Sequence, residues 1–152
     1  MADQPLGRVA AIDYGTVRIG IALSDSRRTI ASPYENYTRR DKATDAARFQ
    51  LLAKEEQIAQ FVVGLPVHSS GHESQKSIEA QTFGKWLTEI TGVPVDYFDE
   101  RFTTVEAEQL LAQAKLTKAR RKERLDMLAA QILLTAYLES TSRDAPPGAL
   151  DD

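Results

Sequence analysis

Four acidic positions in this 152-residue chain fall where a carboxylate could do chemistry: Asp13, the adjacent pair Asp99 and Glu100, and Asp126. Asp13 ends the apolar run VAAI, and a carboxylate at the end of a buried strand is expensive to leave without a partner. Alone, it either caps the Gly15–Thr16 turn that follows, pairs with Arg18, or serves a site. Asp99 and Glu100 follow the strand-like VPVDYF. Alternation sends them to opposite faces, so one reaches a given face while the other is available for an ion pair with Arg101. Asp126 falls in the expected first turn of a helix, where an acid also complements the macrodipole. Taken together, these acids imply more. Carboxylates brought from separate elements to one edge of a sheet repel unless a cation lies between them. The chain has no cysteine and only two histidines, His68 and His72, so such a cation has mainly oxygen ligands. That suits Mg²⁺ or Mn²⁺ rather than Zn²⁺. Two such ions can hold the attacking water and the leaving oxygen of a phosphodiester, which is nuclease chemistry.

A second group of residues suits phosphate. Residues 115–124 carry Lys115, Lys118, Arg120, Arg121, Lys122 and Arg124 against the single acid Glu123. The net charge of −3 does not announce a nucleic-acid binder, but a local basic patch matters more than the sum. Such a cluster binds phosphate backbone without reading sequence, unless it is simply a solvated charge run. Arg18 could offer its forked donors to a scissile phosphate, and Arg101 has a similar claim. Tyr14 either stacks on a base or is a buried aromatic. Trp86 lies amid helical spacing and belongs to a core or an interface. His68 is either a proton shuttle or a solvated loop residue.

The elements that must position these groups follow from periodicity. Residues 8–14 are apolar almost without break, as in a strand buried on both faces. Gly15 and Thr16 make a turn in which glycine permits positive φ. Residues 17–25 alternate, with Val17, Ile19, Ile21 and Leu23 on one face and Arg18, Gly20, Ala22 and Ser24 on the other. That second face is small, so something approaches it closely, a phosphate backbone or a packed helix. Residues 30–38 read as an edge strand because of Pro33. Asp41 caps a helix with Ala46, Phe49, Leu52 and Ala53 on its stripe. Ile58–Leu65 reads as a buried parallel strand, and 66–72 as a loop. A helix over 73–91 has Ala80, Phe83, Leu87 and Ile90 on its stripe and stops at Gly92 and Pro94. A strand over 93–99 follows. Thr103 and Glu106 have capping-box spacing for a helix to about 114. After the basic loop, the last helix is expected over 125–139.

Three strands followed by alternating strand and helix imply an α/β fold, a mixed sheet with helices on its faces. In such sheets ligands collect at the carboxyl ends of parallel strands, where Asp13, the loop at Pro66 and the Asp99–Glu100 pair fall. The length fits one domain, expected over 1–140, with an acidic, proline-containing tail over 141–152 expected to be disordered. Apolar runs of only a few residues exclude a membrane-spanning helix. The absence of cysteine and of a basic, apolar leader agrees with a cytoplasmic protein.

The stretches AIDYGTVRIGIALSD, VVGLP, DERFTTVEAEQLL and LDMLAAQILLTAYLE resemble, in order and spacing, the Holliday-junction-resolvase-like family of pre-16S rRNA nucleases. The likeness spans about residues 8–140. It implies a ribonuclease-H-like fold, a five-stranded mixed sheet flanked by helices. It also implies an acidic triad of Asp13, Glu100 and Asp126 serving Mg²⁺ or Mn²⁺, and trimming of the 5′ end of 16S rRNA precursors in the cytoplasm. After GLP the family has Asn and then Asp-Gly; here the loop reads VHSSGHES, with His68 and Ser70 in place of the Asn and Asp. The substrate class implied is nucleic acid, structured RNA before DNA, acted on by a monomer or weak homodimer. The alternatives are a DNA junction resolvase, which needs a dimer, and a nucleic-acid-binding module without catalysis. A sugar-kinase or actin-like ATPase also opens with strand–Asp-x-Gly–strand, but needs two duplicated domains that this length cannot supply.

Overall fold

The computed structural model describes residues 6–66, 75–100 and 118–143, and only the backbone of 118–126, 142 and 143. In chain order the elements are β1 (Arg8–Asp13), β2 (Arg18–Ser24), β3 (Ala31–Thr38), α1 (Lys42–Glu55), β4 (Ile58–Leu65), α2 (Gln75–Thr91), β5 (Val95–Asp99) and α3 (Lys118–Arg143). The strands form one sheet in the order β3-β2-β1-β4-β5. β2 runs antiparallel to β1 and β3, whereas β1, β4 and β5 are parallel. The expected five-stranded mixed sheet is therefore what forms, with β1 at its centre.

Each face of the sheet buries a separate core. On one, Ile12, Ile19, Ile21, Phe61 and Val63 meet Phe49 and Leu52 of α1 and Phe83 and Leu87 of α2. On the other, Val9, Ala11, Ala22 and Val62 meet Ala130, Leu133, Leu134, Tyr137 and Leu138 of α3. The alternation expected for β2 holds, with Ile19, Ile21 and Leu23 on the first face and Ala22 on the second. Its small face serves helix packing rather than a phosphate backbone, because α3 lies against it. Val17 departs from the expectation: it precedes the strand and is 64% exposed.

Local signals place several ends. Asp41 caps α1 by accepting from the Thr44 N–H at 2.8 Å. Gly92, at φ +75°, ends α2 and donates its N–H to the Thr88 carbonyl. Pro33 lies on the edge strand at a register shift, where a missing N–H costs no ladder bond. Gly15 does not use positive φ; a Cβ there would collide with the Arg18 carbonyl oxygen.

α3 begins seven residues before the expected start and continues to Arg143. Lys, Ala, Arg and Glu are all good helix formers, and no Gly or Pro interrupts 118–125, so from Lys118 on the basic run is helical rather than a loop. The expected helix over 103–114, the loop at His68 and residues 144–152 lie outside the described residues.

The β2–β3 connection hangs on Asp25, whose carboxylate accepts from the Thr29 N–H and hydroxyl, both at 2.6 Å, and from the Ile30 N–H at 2.9 Å. The Thr29 side chain and then the Ile30 amide hold its carboxyl down at about 2. The folded state thus prefers the ionised form. That contribution is complete above about pH 4 and is lost as the pH falls towards 2. Asp25→Ala is expected to lower stability by about 1 kcal/mol at neutral pH, an amount discounted for an exposed turn. Urea unfolding at a series of pH values should find the gap narrowing below pH 4; a gap that widens there would refute this account.

Candidate active site

Asp13 is the last residue of β1 and is half-buried. Ile12 belongs to the α1/α2 core and Ala11 to the α3 core, so alternation puts Asp13 on the α3 side. Across the sheet it pairs with Gly20, which pairs with Asn36. On its other side Ile12 faces Val63, so Gly64 stands next to Asp13, roughly 5 Å away at ordinary strand spacing.

Gly64 locates the second acid. A Cβ on Gly64 would meet Glu100 Oε1 at 2.7 Å, Leu133 Cδ2 at 3.1 Å and Glu100 Cγ at 3.2 Å. The Glu100 carboxylate therefore lies over Gly64, on the α3 side, in the strand position beside Asp13. Of the Asp99–Glu100 pair, it is Glu100 that reaches this face. Burial pushes its carboxyl above the ordinary range, and Asp99 adds a like-charge push that Lys76 opposes. Lys76, in the first turn of α2, and Gly64, which leaves the space, were not singled out in the sequence. No spacing rule points to either, since both act across elements.

Asp126 is not in the first turn of its helix. It lies eight residues past Lys118, about 12 Å along the axis, so macrodipole complementarity does not explain it. It stands four residues before Ala130, in line with the stripe of Ala130, Leu134 and Leu138 that covers the sheet. Its side chain lies outside the described part. Among the described residues no group of three His, Cys, Asp or Glu side chains assembles into a metal site.

Of the phosphate candidates, Arg18 opens β2 at the same end of the sheet, on the face of Gly20 and Ala22. Arg101 lies outside the described residues. Lys118, Arg120, Arg121 and Lys122 stand in the first turns of α3, with backbone positions only.

The turn after Asp13 is fastened by Arg39, another residue the sequence did not flag. Its N–H donates to the Val17 carbonyl at 2.9 Å, and its guanidinium to the Tyr14 hydroxyl at 3.1 Å and the Gly15 carbonyl at 3.4 Å. The guanidinium also pairs with Asp45 at 3.5 Å. Asp45 is itself buried and accepts from the Tyr37 hydroxyl and the Arg40 N–H. Tyr14 packs its ring on Phe83, which bears out the buried-aromatic alternative in part.

These groups gather oxygen donors at the carboxyl ends of β1 and β5, on one face, with cations nearby. Such an arrangement can hold a hard cation and orient an anionic ester.

Residues 7–140 match the family described as RuvX, Holliday junction resolvase. Among curated relatives, a protein of Rhodopirellula baltica is 50% identical over 134 residues, covering 88% of this chain and 78% of its own. One of Koribacter versatilis is 38% identical over 138 residues, covering 91% and 90%. Both carry the name "Putative pre-16S rRNA nuclease". Among solved structures, T. thermophilus RuvC in complex with a Holliday junction substrate aligns with a TM-score of 0.56 at 16% identity, covering 90% of this chain and 97% of RuvC. A fowlpox virus resolvase with Holliday junction DNA gives 0.56 at 9% identity, covering 88% and 98%. At these identities the structural likenesses establish the ribonuclease-H-like fold and no more.

Proposed function

The chain belongs to the RuvX, Holliday junction resolvase, family, and from that premise we propose that it is a metal-dependent nuclease trimming structured RNA, with the 5′ end of a 16S rRNA precursor as substrate. The observation that carries this is the Glu100 carboxylate over Gly64, in the strand position beside Asp13. Two carboxylates on one face, one of them partly desolvated, form a donor set that fits Mg²⁺ or Mn²⁺ and is wrong for soft metals. Asp126, one turn before Ala130, completes the set in this reading. The chemistry that Mg²⁺ or Mn²⁺ supplies when held there is charge neutralisation at the phosphoryl group and activation of water for hydrolysis.

The chain's own residues do the rest. Asp13 ends β1 and Glu100 directly follows β5, so the sheet fixes where both side chains start from. Lys76 tempers the negative charge at Glu100. Arg18 presents its forked donors to the scissile phosphate. Lys118, Arg120, Arg121 and Lys122 crowd the amino end of α3, where side-chain charge and helix dipole both attract phosphate, and Arg101 adds to them. The name of the relative at 50% identity favours RNA. It also implies a cytoplasmic protein, since that is where ribosomal precursors are trimmed. The family description favours a second reading, cleavage of four-way DNA junctions, which requires two copies presenting two sites.

Incubating the pure chain with Mn²⁺ at low salt separates these. Cleavage of a precursor 16S fragment, with a synthetic four-way junction left whole, is the expected result. The reverse pattern makes the chain a resolvase. Cleavage of neither, with several metals tried, removes both.

A further inference from the structure

The opposite face of the sheet carries a second concavity at the same end. A cavity of about 270 Å³ opens between α1 and α2, and one of its walls is Tyr14, the residue next to Asp13. Three rings stand in series along it: Tyr14 to Phe83 at 5.1 Å between centroids, and Phe83 to Trp86 at 5.4 Å. Ile78, 45% exposed, also lines the cavity.

The charges on its lining decide what it could hold. Arg39 and Lys42 are balanced by Asp45 and Glu79. Arg39 and Asp45 are committed to each other, and further to Tyr14, Gly15, Tyr37 and Arg40. A phosphate or carboxylate would need spare positive charge, and among the described lining residues the two signs balance. A purely aliphatic group would leave the polar edges of Gln75 and Thr82 idle. A flat, uncharged ring system with donors and acceptors around its rim satisfies both. The volume fits one such ring system, since cavities for drug-sized molecules run upward from about 300 Å³.

We propose that this cavity takes a single unstacked nucleobase of the substrate strand, seated beside the half-buried rings of Tyr14 and Trp86, with Phe83 buried between them and the Arg39 guanidinium 5.4 Å from the Tyr14 ring centroid. This rests on the nuclease reading above. Because Tyr14 follows Asp13 directly, the seated base belongs within one or two nucleotides of the phosphate being cut. The enzyme then demands an unpaired nucleotide beside its cleavage point, because a base in a duplex cannot turn out without losing its stacking.

Trp86 is the only tryptophan in the chain, so its fluorescence reports this wall directly. The full chain, with Ca²⁺ in place of Mn²⁺, is titrated with a short single-stranded RNA, the same RNA carrying one abasic position at each site in turn, and inorganic phosphate. The RNA should quench Trp86 saturably; one abasic placement should abolish most of the quench, and phosphate should do nothing. Ile78→Glu, and independently Thr82→Glu, both at exposed positions of α2, should weaken RNA binding about 5- to 100-fold, the worth of one stacked base. Ile30→Glu, an exposed apolar position on the far β2–β3 connection, should bind as the parent does. Quenching by phosphate alone, or unchanged binding in both α2 variants, overturns the proposal. RNA that is bound and cleaved without quenching removes the base pocket and leaves the nuclease intact. RNA that is neither bound nor cleaved removes both.

Discussion

Asp13→Asn is expected to abolish Mn²⁺-dependent cleavage, by about a thousandfold or more, while leaving the fold in place. The substitution keeps the volume and polarity of the side chain and removes only its charge. The strand positions beside Asp13 hold Gly20 on one side and, on the other, Gly64 under the Glu100 carboxylate, where the proposed ion would be held. Asn is nearly isosteric with Asp, so without a cation unfolding by urea should move by less than about 1 kcal/mol. With a cation the two chains should differ. Mn²⁺ should raise the melting temperature of the parent chain, because it binds only the folded state, and that rise should vanish in Asp13→Asn. The melting measurement needs no substrate, so it tests the ion site independently of the RNA assignment. Cleavage by Asp13→Asn at the parental rate would end the assignment of this carboxylate.

Gly64→Ala should come next in effect and is the more discriminating variant. A methyl on Gly64 would arrive 2.7 Å from Glu100 Oε1 and 3.1 Å from Leu133 Cδ2. The end of a glutamate swings away easily, and alanine is better than glycine inside a strand, so stability should fall by no more than about 1 kcal/mol. The carboxylate, however, would be displaced by an ångström or more. Misplacement of that order costs about a hundredfold in rate. The expected outcome is a near-parental melting temperature with kcat reduced about a hundredfold. A double-mutant cycle with Glu100→Gln separates this from general damage. If Gly64 matters only because it makes room for Glu100, adding Gly64→Ala to Glu100→Gln should change the rate little further. Additive losses would show that the glycine serves something else.

Much of this frame was legible in the sequence because its signals are local. Asp41 with Thr44, Gly92 before Pro94 and the alternation of Ile19 to Leu23 each act within a few residues, and each ended or oriented an element as expected. The unbroken apolar character of residues 9–12 marked the central strand, and Asp13 at its end followed directly. What escaped depends on groups meeting from far apart. Arg39 fastens the turn after Asp13 across more than twenty residues, and nothing near Arg39 hints at that. Gly64 looked like an ordinary small residue in a buried strand until α3 and Glu100 were seen over it. The small face of Gly20 and Ala22 left a phosphate backbone and a packed helix equally open, and only the position of α3 decides for the helix. The start of α3 was missed for another reason: a dense cationic run looks like a loop, yet its residues are strong helix formers, and their propensity outweighs the unfavourable meeting of positive charge with the positive end of the dipole.

The place of α3 in the chain has a consequence for how the protein is made. β1 emerges from the ribosome early, but the helix that roofs Val9, Ala11, Ala22 and Val62 follows every described strand. A nascent chain released only as far as β5 has one sheet face bare. It also lacks the helix that carries Asp126 and the cationic turns. On the proposed reading the acidic set is incomplete until α3 has been made, so a copy that stops at β5 should lack cleavage activity.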